Sequence, residues 1–153
     1  MAEFIDMEEQ IDKFQIQELE SRLNFKFPED YTKHLLEYNG GRCIPNVFAF
    51  MENGNLTKSS VDWFLALHDG EYDSLENEFK VLKIEEKRMP DTFFPFANDA
   101  LGNCLCMNGA DSKIYFWDHE KEVDYSESDD NDTSNLYFVA ENLNEFISNL
   151  TEA

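Results

Sequence analysis

Residues 27–41 constrain the fold more than any other segment, because they specify a helix with both ends defined. The helix is expected to begin at Pro28, whose fixed φ suits the first helical turn. Two acids follow, where the helix dipole favours negative charge. Apolar side chains then recur four and three residues apart on one face: Tyr31, Leu35 and Tyr38. Asn39-Gly40-Gly41 ends the helix, because glycine accepts a left-handed conformation.

Apolar side chains at helical spacing predict three further helices. The first is marked by Ile16, Leu19 and Leu23, and the third, from about Leu75, by Leu75, Phe79 and Leu82. The last has a stripe formed by Leu143, Phe146, Ile147 and Leu150. Asn142 can cap this last helix, and Glu145 completes a capping-box pattern.

Strands are predicted between these helices. Val47–Met51 is a short apolar run, and Val61, Trp63, Leu65 and Leu67 alternate onto one face of a second strand. Strands follow near 93–97, 103–108 and 113–119, the last two joined at Asn108-Gly109. A polar loop over 120–134 precedes a short strand at 136–139.

The order ααββαββββα predicts an α+β fold. We expect one mostly antiparallel sheet of about six strands with helices packed on it. A chain of 153 residues is one domain by size,. The whole chain, 1–153, is therefore interpreted as a single domain with a core from about 15 to 150.

Charge restricts the partners that this chain can have. Thirty-three acids against twelve bases give a formal net charge of −21. Such a field repels phosphate backbones and anionic lipid, so no nucleic acid or membrane partner is expected, and a basic protein is favoured. The N-terminus is acidic and no apolar run is longer than Trp63–Leu67, so we expect a cytoplasmic protein,.

No catalytic, cofactor or metal motif emerges from the sequence. Cys104 and Cys106 lie two apart on a predicted strand and share a face; with Cys43 and His119 they could offer zinc ligands. The spacing is not that of a zinc ribbon, so all three cysteines are expected to be free, mostly buried thiols. A Cys–His pair brought together by the fold stays open as the enzymatic alternative.

The acidic segment 118–132 is the strongest feature outside the predicted core. Eight of its fifteen residues are acidic: Asp118, Glu120, Glu122, Asp124, Glu127, Asp129, Asp130 and Asp132. A solvated loop and a docking surface for a basic partner both fit this composition. Calcium binding fits less well, because the glycine and final glutamate of an EF-hand loop are missing. Trp117 and Tyr125 are expected as exposed aromatic anchors beside these acids.

Two groups of residues, in this order, resemble the SUKH superfamily, which includes the yeast Smi/Knr cell-wall regulators and many bacterial immunity proteins. The matching positions are Pro28, Glu29, Asp30, Tyr31, Leu35, Leu36, Asn39, Gly40, Gly41, Pro95, Asn98, Asp99, Gly102, Asn103, Tyr115, Asp118, His119 and Glu120. Ala100-Leu101 and Asn108 depart from the family pattern, which argues against a shared functional site in the turn after Asp99.

The resemblance implies an α+β fold and non-enzymatic binding. In bacteria it implies neutralisation of a toxin, frequently a nuclease. The alternative is a regulatory interaction module similar to the yeast members, and an unrecognised hydrolase is less favoured. Toxin-contacting residues vary across such families, so the resemblance identifies none in this chain.

Overall fold

The structure is a computed structural model that describes residues 2–68, 70, 72–120 and 135–152. Four α-helices are present: α1 (Lys13–Leu23), α2 (Glu29–Glu37), α3 (Leu75–Phe79) and α4 (Leu143–Ser148). A π-helical segment, Lys80–Glu85, continues α3. The strands are β1 (Glu3–Ile5), β2 (Arg42–Ile44), β3 (Val47–Glu52), β4 (Asn55–Phe64), β5 (Phe93–Asp99), β6 (Cys104–Asn108), β7 (Ile114–Trp117) and β8 (Leu136–Ala140).

The main sheet has six strands in sequence order, β3-β4-β5-β6-β7-β8. Every neighbouring pair is antiparallel. A second sheet pairs β1 with β2, also antiparallel. The predicted α+β class and the six-stranded antiparallel sheet are therefore confirmed.

The larger core packs α1, α2 and α4 against one face of the sheet, and aromatic rings make much of it. The Phe94 ring on β5 lies 4.9 Å from Phe27 and 5.0 Å from Tyr31 between ring centroids. Phe4 and Ile11, which precede the expected start of the core, also belong to it. The N-terminal segment is thus part of the packed fold.

The smaller core covers the other face of β6 and β7. Cys104, Cys106 and Trp117 point to this face, and Leu82 and Met89 pack over them. Leu105 and Met107 alternate with the cysteines and enter the larger core. The prediction that Cys104 and Cys106 share a face is confirmed, and the sheet is covered on both sides here.

The predicted alternation over 61–67 is wrong. Strand β4 ends at Phe64, and its pairing with β5 shifts between Val61 and Trp63. This irregularity adds a residue to the repeat, as a β-bulge does. Val61 and Phe64 therefore face the core, whereas Trp63 is only partly buried.

The capping residue predicted for the last helix is confirmed. The Asn142 side-chain oxygen accepts a hydrogen bond of 2.8 Å from the Glu145 backbone N–H. Across the part of the chain that the structure describes, no helix combines the length and apolar character needed to cross a bilayer.

Candidate functional site

Asp118, the first residue of the acidic segment, lies next to Asn135, between the end of β7 and the start of β8. The Asp118 backbone N–H donates to the Asn135 carbonyl oxygen at 3.0 Å. Asn135 is fully buried. We call the group formed by Arg88, Trp117, Asp118, His119 and Asn135 the neck, because it joins the chain at the end of β7 to the chain at the start of β8.

Arg88 joins both sides of the neck. Its carbonyl oxygen accepts hydrogen bonds from Trp117 Nε1 at 3.2 Å and from Asn135 Nδ2 at 3.5 Å. Its guanidinium lies 4.7 Å from the Trp117 ring centroid and donates from Nη2 to the His119 carbonyl oxygen at 3.0 Å. A guanidinium over an indole face is a favourable contact, so Arg88 holds the base of the acidic segment in place.

The turn between β5 and β6 is hydrogen-bonded to the neck. The buried Asp99 carboxylate accepts hydrogen bonds from Leu101 N at 2.9 Å, from Asn103 N at 2.9 Å and from Asn103 Nδ2 at 3.0 Å. Asn103 Oδ1 in turn accepts from the His119 backbone N–H at 3.1 Å. Asp99 and Asn103 therefore act as a hydrogen-bonded scaffold, and both oxygens of the carboxylate are used within the protein.

Three of the residues predicted to bind a partner fall within the described part of the chain. Glu120 is exposed and Asp118 is partly exposed. Asp118 Oδ1 accepts from the Glu120 backbone N–H at 3.0 Å. β7 ends at Trp117, so both acids lie beyond the strand that was predicted near 113–119.

The expectation that Trp117 is an exposed aromatic is wrong. Its side chain is only 2% exposed. Strand alternation places it on the face covered by Leu82 and Met89. The Arg88 guanidinium lies over the ring. The other predicted residues, Glu122, Asp124, Tyr125, Glu127, Asp129, Asp130 and Asp132, lie outside the described residues.

The cysteines are poorly suited to nucleophilic chemistry, because the thiolate is the reactive form. Burial raises the pKa of Cys43 to about 11. Burial also raises the pKa of Cys104 and of Cys106 well above the ordinary thiol range. Cys43 belongs to the larger core and the other two to the smaller one, so the fold does not bring the three together.

The histidines have separate surroundings. His34 packs among the rings of Phe4, Tyr38 and Phe64, and burial lowers its pKa to about 4. His68 Nδ1 accepts from the Gly70 backbone N–H at 2.9 Å. Within residues 2–68, 70, 72–120 and 135–152, no group of three or more His, Cys, Asp or Glu side chains is arranged to hold a metal ion.

Sequence reasoning missed the role of Asn39, which it assigned only to a helix end. The buried Asn39 side chain donates from Nδ2 to the Glu9 carbonyl oxygen at 2.8 Å and to the Leu67 carbonyl oxygen at 3.0 Å. Its Oδ1 accepts from Leu67 N at 2.8 Å. Asn39 therefore joins the N-terminal segment to the chain after β4. These partners are distant in sequence, so spacing could not reveal them.

The glycines after Asn39 allow the same close approach. Gly40 has φ +75°, and a Cβ on it would lie 2.5 Å from the Cβ of Ala66. Gly41 has φ +94°, and a Cβ there would lie 2.5 Å from the Ile5 carbonyl oxygen. Any side chain would separate the segments that Asn39 joins.

Comparison with known proteins identifies a sequence relative and a family. The chain is 25% identical over 154 residues to the "SPbeta prophage-derived uncharacterized protein YokK" of Bacillus subtilis (strain 168), covering 90% of this chain and 73% of that protein. The sequence model of the SMI1/KNR4 family (SUKH-1) matches residues 10–149, which include α1, α2, the six-stranded sheet and α4. The chain therefore belongs to the SMI1/KNR4 family (SUKH-1).

Proposed function

We propose that this chain is an immunity-type protein that binds a cognate toxin domain with a basic surface, of the nuclease type, and neutralises it. The observation that carries the proposal is the net charge of −21 on a member of this family. A nuclease needs a basic surface to hold phosphates. An acidic protein can cover that surface and prevent nucleic acid from reaching it.

The distribution of charge favours the C-terminal half as the first point of encounter. Residues 90–153 contain 14 acids and 2 bases, whereas residues 1–89 contain 19 acids and 10 bases. Asp118 and Glu120 begin the acidic segment, directly at the neck that Arg88 holds. Attraction between this half and a basic partner increases the rate of productive encounter.

Binding without catalysis is part of the proposal. The thiols are protonated at neutral pH, because burial raises the pKa of all three cysteines. Asp99 is one of the residues that match the family pattern. Both oxygens of its carboxylate accept hydrogen bonds within the β5–β6 turn. We propose that the protein acts in the cytoplasm, where a nuclease would find its substrate.

Co-expression tests the proposed function. The gene next to the one that encodes this chain is expressed from an inducible promoter, with and without this protein. Survival that requires this protein supports immunity. If the neighbouring product kills cells equally in both cases, or is harmless in both, the immunity interpretation fails and a regulatory interaction module of the same family becomes the better explanation.

A further inference from the structure

A second acidic surface lies far along the chain from the acidic segment, in a groove between the N-terminal segment and the chain after β4. Asp6, Glu8, Trp63, His68, Tyr72 and Asp73 line it. We call it the N-terminal groove. None of the described residues that line it is lysine or arginine. Its walls therefore combine carboxylates with aromatic side chains.

The groove is built by the Asn39-Gly40-Gly41 motif. The Glu8 backbone N–H donates to the Asn39 carbonyl oxygen at 2.9 Å. The Asn39 side chain hydrogen-bonds to the backbone of Glu9 and Leu67, which are the chain neighbours of the lining residues Glu8 and His68. Gly41 lies in the floor, where its carbonyl oxygen accepts from Phe64 N at 2.7 Å.

Two aromatic side chains of the groove, Tyr72 and Trp63, differ in how far they are exposed. Tyr72 is 81% exposed, unusually high for a large aromatic side chain,. Trp63 is partly buried, and its ring already accepts a guanidinium: Arg42 Cζ lies 5.4 Å from the ring centroid. Arg42 Nη2 also lies 3.9 Å from Asp62 Oδ1. Arg42 thus shows that a guanidinium can lie over this ring while it pairs with a carboxylate.

The acids of the groove repel one another. Burial raises the pKa of the Asp73 carboxyl, and the charges of Asp62 and Glu8 raise it further, against the lowering effects of the Asn98 hydrogen bond and of His68. A cation placed between these carboxylates would relieve that repulsion. Asn98, one of the motif residues on β5, supports this groove, whereas Asp99 beside it supports the neck.

We infer that the N-terminal groove binds an arginine side chain from an extended segment of a basic partner protein. The guanidinium would lie against Trp63 or Tyr72 with its N–H groups donating to Glu8 and Asp73, a combination of cation–π contact and charge-assisted hydrogen bonds. The inference rests on the proposed function for the basic character of the partner. It adds a second contact, independent of the acidic segment.

A peptide probe tests the inference without the toxin. The probe is a capped hexapeptide of alternating glycine and arginine, titrated into isotopically labelled protein and followed by NMR. The Trp63 indole N–H signal, assigned from its loss in Trp63→Phe, is expected to shift on titration. A peptide with glutamine in place of arginine is expected to leave the signal unmoved.

Charge-matched variants separate the groove from the general acidity of the protein. Asp6→Asn with Asp73→Asn removes two charges from the groove, and asparagine tolerates the positive φ of 57° and 55° at these sites,. Glu85→Gln with Glu141→Gln removes two exposed charges elsewhere. We expect affinity for the peptide to fall about fivefold for the groove pair and less than about twofold for the control pair.

Two single substitutions test peptide binding in the groove further, and the first is not expected to change stability. Tyr72→Ala removes a ring that is mostly in solvent, so it should weaken peptide binding while the unfolding temperature stays unchanged. Arg42→Gln should strengthen binding more than Lys58→Gln does, because only Arg42 competes for Trp63. Equal losses in the groove and control pairs, or an unmoved Trp63 signal, would overturn the inference. The immunity proposal would stand in that event, since co-expression survival measures it separately.

Discussion

Individual polar residues in this protein mostly serve to fasten segments together, and Asn39 shows this most clearly. Its side chain makes three hydrogen bonds to backbone groups of Glu9 and Leu67. We expect Asn39→Ala to lower the free energy of unfolding by about 2–4 kcal/mol, because buried backbone groups lose their partners. Urea denaturation measures this. Asn149→Ala, near the C-terminus of α4, is the control, and a loss no larger than the control's would contradict this role.

His34 predicts a pH dependence of stability. Burial lowers its pKa to about 4 from the ordinary value of 6.5, so the unfolded chain binds this proton at a higher pH than the folded chain does. Above about pH 6.5, protonation of His34 therefore does not reduce the free energy of unfolding. As the pH drops towards 4, the free energy of unfolding falls by roughly 2–3 kcal/mol because of this group. His34→Phe should reduce the difference between denaturation curves at pH 7.5 and pH 5. An unchanged difference would show that other groups cause it.

At the scale of secondary structure, the sequence predicts the elements that have strong local signals. α2 and α4 have defined ends, and the hairpin at Asn108-Gly109 has a turn signature. β1 and β2 were missed, because three residues are too few to show a repeat. The alternation through Trp63 fails at an irregularity in pairing with β5, which is not encoded by local spacing.

The candidate site was harder to predict than the fold. Asp118 and Glu120 lie at the surface as expected, but Trp117 is buried. Whether a strand residue faces solvent depends on what covers that face of the sheet. The segment from Leu82 to Met89 covers Trp117, and nothing near Trp117 in the sequence indicates it.

The neck provides a prediction about one connecting element. Arg88→Met should lower the free energy of unfolding by about 1–2 kcal/mol, since it removes the guanidinium hydrogen bonds to His119 and Glu86 and a cation–π contact with Trp117,. It should also speed proteolytic cleavage in the acidic segment, because the His119 side of the neck loses its partner. Lys87→Met, an exposed neighbour, is the control. Cleavage at the same rate in both variants would show that Arg88 does not restrain the segment.

At the scale of the whole molecule, charge is expected to control the rate of encounter with the partner. Replacing Glu122, Asp124, Asp129 and Asp130 with the corresponding amides changes the formal net charge from −21 to −17. At low salt we expect association to slow roughly three- to tenfold, with a weaker dependence on salt, because long-range attraction acts before contact. Stopped-flow mixing measures both. An unchanged rate and salt dependence would place the encounter surface elsewhere.

The central claim is that this family member neutralises a basic nuclease by binding it. The most direct measurement is a titration of the purified product of the neighbouring gene with this protein, with RNA cleavage as the readout. If the protein neutralises a nuclease by binding, cleavage falls in proportion to added protein and stops at a fixed molar ratio, and high salt restores part of it. Cleavage that continues unchanged at a large molar excess of this protein would show that it does not inhibit the enzyme.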